Sequence, residues 1–381
     1  MTLRGSAAIV GIGAAGMGEA RGWSAIEIMA MSAQAALADA GLTIADVDGL
    51  FVTSAFHALP TISAAEYLGI RPDFFNGSAV GGASFEMHVL SAAMALRAGL
   101  CNVALIAYGS NQRTLGGKLM TTLEPQVNEG VYRPRQPISA YALAAARHMH
   151  VYGTTREQLA EVAVAARRWA MLNPDAFARG PLTIEEVLSA RMISDPLSRY
   201  DCCLVTDGGG ALVMVRAERA KDFPRPAVYM LGAAGAHWHR QIAEMPDMTV
   251  TAATQSGPRA FEMAGLTPAQ IDVVELYDAF TINTILFLED LGFCAKGEGG
   301  AFVSAGAIAP GGRLPVNTNG GGLSCVHPGM YGIFLIIEAV EQLRGMAGER
   351  QIAGARTALA HGNGGTLSCQ ATCIFGTADT L

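Results

Sequence analysis

Four Gly-rich or polar turns carry the side chains of this sequence that could do chemistry. In open α/β sheets, ligands bind beyond the carboxyl ends of strands, where such turns are expected. An imidazole can move a proton near neutral pH, whereas a serine hydroxyl becomes a nucleophile only beside a strong general base. The turns, at residues 76–84, 277–283, 317–332 and 361–366, supply Ser78, Tyr277, Asp278, Asn319, His327, Tyr331, His361 and Asn363.

The seven cysteines do not form a recognisable site. They are scattered through apolar or Gly-rich stretches, which indicates buried thiols in a reducing compartment rather than a disulfide framework. Cys369 and Cys373 are four residues apart, but no second pair completes a zinc site. We therefore expect no metal and a cytoplasmic location.

An internal repeat organises the elements that must position these turns. Ala-Gly-Leu-Thr follows a predicted helix twice, in ALADAGLTIADVD and again in AFEMAGLTPAQID, and further matches flank both copies in the same order. Each copy predicts a strand, a Gly loop, a helix, a strand, a Gly-rich turn, a helix and a strand. The matched pairs are 7–16 with 227–235, 36–48 with 260–272, 92–99 with 339–346, and the apolar strands 103–109 with 357–362.

Alternating apolar strands and helices predict an α/β fold with sheets buried on both faces. Two such units packed through their helices give α/β/α/β/α layers. A segment of different character, with an amphipathic helix at about 156–171, predicts an inserted cap. The expected domains are an N-terminal half at 1–111 plus 201–222, a cap at 112–200 and a C-terminal half at 223–381.

The repeat decides between interpretations of the N-terminus. The stretch GIGAAG at 11–16 matches a dinucleotide fingerprint, but the next helix is delayed and residues 50–56 end without an acidic residue. Arg4 followed by apolar residues also resembles a signal peptide. Because 7–16 recur in the second copy, we expect a core strand with a structural turn, and no nicotinamide cofactor.

Composition excludes several classes of protein. Of 381 residues, 51% are hydrophobic and 15% charged, which excludes a disordered chain. The net charge of −7 argues against nucleic-acid binding. No apolar run approaches the ~20 residues of a membrane span.

Six longer motifs carry a family resemblance that covers essentially the whole chain. The chain resembles the thiolases, and within them the sterol-carrier-protein thiolase and lipid-transfer-protein branch, whose members are duplicated in the same way. The motifs are RHMHVYGTTREQLAEVAV (147–164), YDCCLVTDGGGALVM (200–214), VELYDAF (274–280), EDLGFCAKGEGGAFV (289–303), LPVNTNGGGLSCVHPGMYG (314–332) and HGNGG (361–365).

The resemblance places the family's nucleophilic cysteine at Ser78, and this segment contains no cysteine. Ser78 is then either a serine nucleophile or a residue that fills space in a turn. The resemblance makes His327 the histidine that activates the nucleophile and lines the oxyanion hole. Gly321 and Gly322 are expected to bring backbone N–H groups close to the ligand.

Three further sets of residues have both a functional and a structural interpretation under the resemblance. His361 or Asn363 takes the place of a second acid–base cysteine, or His361 is a turn histidine. Asn363, Gly364 and Gly365 are also expected to bind coenzyme A, as are Gly321 and Gly322. Tyr277 and Asp278 replace the residues that hold a catalytic water, or Tyr277 is a core tyrosine; Asp278 could orient His327. Arg167 and Arg168 meet a coenzyme A phosphate, or lie on a solvated helix face.

Three functions are consistent with these residues. One is an acyl-coenzyme A acyltransferase that makes or breaks a carbon–carbon bond beside the thioester. The second is a retro-aldolase on a β-hydroxyacyl-coenzyme A, working with a small zinc-ribbon and oligonucleotide-fold partner. The third is a non-catalytic acyl-coenzyme A-binding subunit. The resemblance also implies a homodimer or homotetramer, paired through the apolar strand 103–109.

Overall fold

Strands from both sequence copies form one mixed sheet. The computed structural model describes residues 3–117 and 128–381. Its strands are β1 Ala7–Gly18, β2 Gly49–Val52, β3 Phe74–Asn76, β4 Val103–Ser110, β5 Met192–Ser194, β6 Leu197–Ser198, β7 Asp207–Arg216, β8 Val228–His237, β9 Val273–Leu276, β10 Thr357–Gly364 and β11 Cys369–Gly376.

Helices alternate with these strands in each half. They are α1 Ala25–Ala40, α2 Pro60–Leu68, α3 Ser84–Arg97, α4 Gln112–Gly116, α5 Ile138–Tyr152, α6 Arg156–Met171, α7 Ile184–Ser189, α8 Ala253–Ala264, α9 Thr281–Asp290, α10 Gly299–Val303 and α11 Gly332–Leu343. A short π-helical turn, Gly321–Cys325, precedes His327. Among the described residues, no helix is both long and apolar enough to cross a membrane.

The order of the strands repeats the duplication. Across the described sheet the order is β3-β2-β4-β7-β1-β8-β11-β10-β9. The run β2-β4-β7-β1 is mirrored by β9-β10-β11-β8, with one parallel pair followed by two antiparallel pairs in each. The halves join where Ala8 and Ile9 pair with Tyr229 and Val228.

Glycines in β1 and β8 allow the same close approach of a helix in both halves. A side chain on Gly11 would collide with the carbonyl oxygen of Ala36 in α1, and one on Gly232 with that of Ala260 in α8. The GIGAAG stretch therefore lies inside a strand that continues to Gly18. The expected turn at this point is wrong, because these glycines serve helix packing.

Two helices form the central layer. α3 and α11 contact each other and strands of both halves, whereas α1 packs on β1, β4 and β7, and α8 packs on β8 and β11. These contacts give the α/β/α/β/α arrangement that the sequence predicts. The inserted segment brings α6 against the π-helical turn and against α9 and α10.

Pairing through the strand at 103–109 is wrong, because that strand is interior. It corresponds to β4, which lies between β2 and β7. The outer side of β9 is covered where the Val274 N–H donates to the Pro315 carbonyl and its own carbonyl accepts from Asn317 N–H. β3 pairs with β2 alone among the described strands, so its outer side is the open edge, and Phe75 there is 62% exposed.

A carboxyl group is buried in the central layer without a hydrogen-bond partner. Glu86 of α3 is 1% exposed, and neither carboxyl oxygen has a partner among the described residues. The carboxyl occupies the space where side chains of Gly332 and Gly362 would lie. Burial raises the pKa of Glu86 to about 8, so the group is mostly protonated at neutral pH.

We expect Glu86→Gln to change how stability depends on pH. An unfolded glutamate ionises near ~4.3, whereas folded Glu86 keeps its proton up to about 8. Wild-type stability should therefore fall as pH rises across this interval, and the glutamine variant should lack that contribution. Thermal unfolding should show a Tm advantage of the variant that grows with pH.

Glu66→Gln is the matched control, because Glu66 is an exposed acidic residue of α2. Its Tm difference from the wild type should stay constant with pH. A Glu86→Gln variant whose Tm follows the wild-type pH dependence would show that Glu86 is ionised in the folded protein.

Candidate active site

The ring of His327 is buried and has no hydrogen-bond partner. Its backbone is fixed: the N–H donates to Thr206 Oγ1 at 2.9 Å and the carbonyl accepts from Gln112 Nε2 at 2.7 Å. Both ring nitrogens lack a partner among the described residues, although His327 is only 3% exposed. Burial lowers the pKa of His327 to about 4. At neutral pH the ring thus offers one free N–H donor and one free acceptor.

Two tyrosines surround this imidazole. The Tyr277 ring meets it edge to face with centroids 5.6 Å apart, and the Tyr331 ring stacks on it at 6.2 Å. The Tyr277 hydroxyl accepts from Tyr331 N–H at 3.1 Å and donates to the Gly329 carbonyl at 3.4 Å. Burial raises the pKa of Tyr277 well above its usual range. Tyr277 is therefore a neutral phenol, able to donate a proton or a hydrogen bond.

Helix α3 reaches this cluster through a glycine. A side chain on Gly82 would overlap the Tyr277 ring. The Tyr277 backbone N–H donates to the His361 carbonyl at 3.0 Å, which fixes the end of β9 against β10. The glycine thus allows the start of α3 to come into direct contact with the phenol.

Asp278 holds the π-helical turn and does not hydrogen-bond to the His327 ring. Its Oδ1 accepts from Gly322 N–H at 2.6 Å, and its Oδ2 accepts from Leu323 N–H at 3.4 Å. The Asp278 carboxyl lies where a side chain on residue 321 would be, so only glycine fits at that position. Burial raises the pKa of Asp278 to about 7, against these backbone hydrogen bonds.

The backbone N–H groups of Gly321 and Gly322 are both engaged inside the protein. Gly321 N–H donates to Asn319 Oδ1 at 2.7 Å, and the same oxygen accepts from the Tyr331 hydroxyl at 2.9 Å. Asp278 takes the Gly322 N–H. The two glycines therefore shape the turn, while the donor left free at its end is the His327 ring.

The two arginines of α6 have different surroundings. Arg167 is buried, and its Nε donates to Ser324 Oγ at 3.0 Å while Nη1 donates to the Gly180 carbonyl at 2.9 Å. This side chain braces the π-helical turn. Arg168 is exposed and, with Arg313, lines a cavity of about 490 Å³.

Both ring nitrogens of His361 are occupied in the core. Nδ1 lies 2.9 Å from Thr372 Oγ1 and Nε2 lies 3.0 Å from Gln370 Oε1. Gln370 in turn donates to Asn363, whose amide donates to the Tyr141 hydroxyl at 2.8 Å. Burial lowers the pKa of His361 to about 3. His361 has no free nitrogen for a substrate in this arrangement.

The two glycines after Asn363 pack against the segment that carries Ser78. A side chain on Gly364 would overlap the carbonyl oxygen of Val80, and one on Gly81 would lie 2.7 Å from the Gly365 nitrogen. These glycines therefore bring the loop before α3 into contact with the loop after β10.

Ser78 lies outside the His327 cluster. It is exposed, its N–H donates to Asn76 Oδ1 at 2.8 Å, and its carbonyl faces His88 Nε2 at 3.0 Å. Since the His327 ring has no partner among the described residues, no Ser78–His327 dyad is present. The structure brings together His327, Tyr277 and Tyr331, but not Ser78.

The described thiols near this site are held in their protonated, poorly nucleophilic form by burial. Cys203 lies beside the cluster, because its backbone N–H donates to the Ala279 carbonyl at 2.8 Å. Burial raises the pKa of Cys203 well above its usual range, and the same holds for Cys325. A thiol is nucleophilic as the thiolate, which burial disfavours.

Sequence reasoning missed Glu86 entirely. The available signal was an acidic residue in the mostly apolar helix that follows the first turn, but exposed acids are the rule. Among the described residues, no group of His, Cys, Asp and Glu side chains is arranged to hold a metal ion.

Comparisons with known proteins agree with this architecture. The family model "Thiolase C-terminal domain-like" matches residues 234–377. An acetyl-CoA acetyltransferase of Methanothermobacter thermautotrophicus is 36% identical over 97% of this chain and 98% of its own length. A 17-hydroxy-3-oxo-4-pregnene-20-carboxyl-CoA lyase of Mycobacterium tuberculosis is 37% identical over 90% of this chain and 92% of its own length.

A solved structure, described as an Ltp2-ChsH2(DUF35) aldolase, superposes with a TM-score of 0.90 at 34% identity and covers 100% of both chains. Sequence similarity over nearly the full length therefore accompanies the shared fold. The chain belongs to the thiolase superfamily.

Proposed function

We propose that this protein cleaves the Cα–Cβ bond of a β-hydroxyacyl-coenzyme A thioester by a retro-aldol reaction. The observation that carries the proposal is the His327 ring, which is buried against Tyr277 with both nitrogens free. A covalent route would need a nucleophile within reach of that ring, and Ser78 is exposed and unconnected to it.

The reaction needs a base and a hydrogen-bond donor that stabilises an enolate oxygen. The base removes the β-hydroxyl proton, the Cα–Cβ bond breaks, and the β-carbon leaves as a carbonyl compound. The electron pair moves to Cα and is delocalised onto the thioester oxygen. Proton transfer to Cα then gives the shortened acyl-coenzyme A, so no covalent enzyme intermediate and no oxidant are required.

His327 and Tyr277 divide these roles in the proposal. The neutral imidazole has one nitrogen able to accept the β-hydroxyl proton. The phenol of Tyr277 keeps its proton because burial raises its pKa, which suits it to hydrogen-bond the enolate oxygen while the proton held by His327 passes to Cα, or to protonate Cα itself. In the second case the proton on His327 passes to the Tyr277 phenolate, so both groups return to their neutral forms. Asp278 and Tyr331 fix the two groups without reacting.

The nucleotide part of coenzyme A is proposed to meet Arg168, which is exposed beside a cavity. Arg167 is assigned to bracing the turn, since its guanidinium already has protein partners. The loop that carries Ser78 packs against Gly364 and Gly365. We propose that these two glycines and Asn363 shape the acyl pocket. His361 is assigned a positioning role in the same network.

Relatives support the lyase reading and a partner protein. The Mycobacterium tuberculosis relative is named as a lyase of a hydroxylated carboxyl-CoA thioester, and the superposed aldolase contains a DUF35 partner. We therefore propose that this chain works with a small zinc-ribbon and oligonucleotide-fold protein.

Acyl transfer is the second candidate, because the Methanothermobacter thermautotrophicus relative is named as an acetyl-CoA acetyltransferase. On that route Ser78 would take the acyl group and His327 would have to reach its hydroxyl. A non-catalytic binding subunit is the third candidate. The free His327 ring favours catalysis over it, because an unpartnered buried imidazole is costly in a merely structural site.

A homodimer is proposed through the open edge of β3. Unpaired backbone groups of an edge strand readily pair with another chain. Large apolar side chains lie exposed on and before the neighbouring helix α2, with Leu59 at 63% and Ile62 at 60%. A twofold contact there would also cover Ser78, which follows β3 by two residues.

Substitutions should separate the lyase from the acyltransferase. His327→Ala should lower turnover of a β-hydroxyacyl-coenzyme A by at least ~10²-fold, as expected for loss of a general base, and Tyr277→Phe should also lower it. Ser78→Ala should retain most of the activity. The assay follows release of the carbonyl product, with the zinc-ribbon partner present and absent. Loss of activity in Ser78→Ala, with an acyl adduct on Ser78 in the wild type by mass spectrometry, would favour acyl transfer instead.

The pH profile should reflect the burial of His327. A base must be neutral to act, so activity is lost as pH falls through its pKa, which burial lowers to about 4. The acidic limb of kcat/KM should therefore lie well below the ~6.5 of an exposed histidine. His150→Gln, a change of an exposed histidine on α5, should leave the limb in place. Half-maximal activity near ~6.5 would contradict the assignment of His327 as the base.

Sedimentation should test the β3 edge. Phe75→Lys places a charge on the open edge and should convert the dimer to a monomer at micromolar concentration. Met346→Lys, a change at a residue that is 44% exposed in the C-terminal half, is the control and should remain dimeric. A wild-type monomer, or a dimeric Phe75→Lys variant, would be incompatible with pairing through β3.

A further inference from the structure

The hydroxyl of Thr318 lies between two buried carboxyl groups. Its Oγ1 is 2.8 Å from Glu275 Oε1 and 2.6 Å from Glu338 Oε1. Glu275 is fully buried and Glu338 is 2% exposed. Both distances are hydrogen-bond distances between oxygens.

A proton count shows that one of these carboxyl groups is protonated. A threonine hydroxyl has one proton to donate and two lone pairs. Gln342 Nε2 donates to the same oxygen at 3.0 Å and fills one lone pair. Thr318 can donate its hydroxyl proton to one carboxylate, so the other carboxyl group must donate a proton of its own to Thr318. Glu275 Oε1 also accepts the Thr318 backbone N–H at 3.1 Å, which a carboxyl oxygen that carries a proton can still do through a lone pair. Two unprotonated acceptors would repel at this distance.

The neighbours of the two glutamates identify which one holds the proton. Arg350 donates to both oxygens of Glu338, with Nε at 3.0 Å and Nη2 at 3.0 Å, and such a paired guanidinium favours the ionised carboxylate. Glu275 has no basic partner described, and its Oε2 has no hydrogen-bond partner among the described residues. Burial, and next the charge of Glu338, raise the pKa of Glu275 well above its usual range.

We propose that Glu275 keeps its proton at neutral pH and donates it to Thr318, which donates its own to Glu338, so that a shared proton holds the turn at residues 317–319 in place. Glu275 is then a positioning residue. The chain of hydrogen bonds runs from β9, through the turn, to α11.

This turn carries the contacts on which the His327 cluster depends. Asn317 Oδ1 accepts from Leu276 N–H at 2.6 Å, next to Tyr277. Asn319 Oδ1 holds both Gly321 N–H and the Tyr331 hydroxyl. Loss of the Glu275 proton would set two carboxylates against one hydroxyl and displace Asn319. The location of the proton stands on the contacts alone, whereas its effect on turnover rests on the proposed function.

Other ionisable groups also face this cluster. Asp278 directly follows Tyr277 at the end of β9, and its charge adds to the rise in the pKa of Glu275. Burial, and next the charges of Asp278 and Glu275, raise the pKa of Tyr331 well above its usual range. Burial raises the pKa of Cys325, the charge of Glu338 raises it further, and the charge of Arg350 lowers it. Glu341 contacts Arg350 from the same helix as Glu338. None of these groups touches the Thr318 hydroxyl among the described contacts. Burial and the charge of Glu338 raise the pKa of Glu341 to about 8, so the control is placed instead at Glu349, an exposed glutamate beside Arg350.

The test compares Glu275→Gln with Glu349→Gln in the full chain. Glutamine keeps a donor for Thr318 but has no proton to lose. Infrared difference spectra at neutral pH should show a protonated-carboxyl band that is lost in Glu275→Gln and kept in Glu349→Gln. The carboxyl groups of Glu86, Glu341 and Asp278, whose pKa values burial also raises, remain in both variants and cancel in the comparison.

Stability gives a second readout. The folded state holds a proton that unfolded Glu275 releases above ~4.3, so wild-type stability falls as pH rises from there toward the raised pKa. The Tm of Glu275→Gln relative to wild type should therefore increase with pH, and that of Glu349→Gln should not. Turnover of Thr318→Val should fall by roughly tenfold or more, because the turn would no longer hold the residues around His327 in position.

Thr318→Val also keeps the test decisive where Glu275→Gln does not fold. Glu275 should stay protonated there, but its infrared band should move to higher frequency because the hydrogen-bond acceptor is gone. Equal band intensity in wild type and Glu275→Gln, or an unmoved band in Thr318→Val, would overturn the shared proton. The infrared and Tm results hold whatever reaction the protein catalyses, so failure of the proposed function would be seen separately.

Discussion

One short hydrogen bond, from the Gly322 N–H to the buried carboxyl of Asp278, joins the end of β9 to the turn that carries His327. Tyr277 directly precedes Asp278, so the same bond fixes the phenol and the imidazole relative to each other. Because the bond is buried, a lost partner would leave a polar group without water and cost about 1–3 kcal/mol. Gly321 and Gly322 leave room for this carboxyl, because a side chain on either residue would lie against Asp278.

The site is built from polar groups that burial keeps neutral. His327, Tyr277 and Glu86 all lie in low-dielectric surroundings that disfavour their charged forms. A neutral imidazole can accept a proton and a neutral phenol can donate one, so the two side chains offer a base and an acid next to each other. Buried groups without partners reduce stability, and proteins retain such groups mainly where they serve a function.

The same fold serves acyltransferases and aldolases among the relatives of this chain. What distinguishes chemistries on one fold is the site and not the scaffold. Here the position expected for a nucleophile holds an exposed serine, while the nearby thiols are held protonated by burial. His327 and Tyr277 nevertheless lie side by side, and the proposed retro-aldol route uses these two side chains without an acyl-enzyme.

The sequence by itself determined the duplication, the layered α/β fold and the turns that hold His327, Tyr277 and Asp278, because repeated apolar strands, glycine positions and long motifs are local in the chain. It did not determine strand order, so strand 103–109 was expected at an edge although it is interior. Nor could it show that His361, Arg167 and Gly322 are occupied by protein partners, or that Glu86 is buried. Those facts depend on contacts between residues distant in sequence, and the free energy of a buried polar group is set by whichever partners the tertiary structure brings to it.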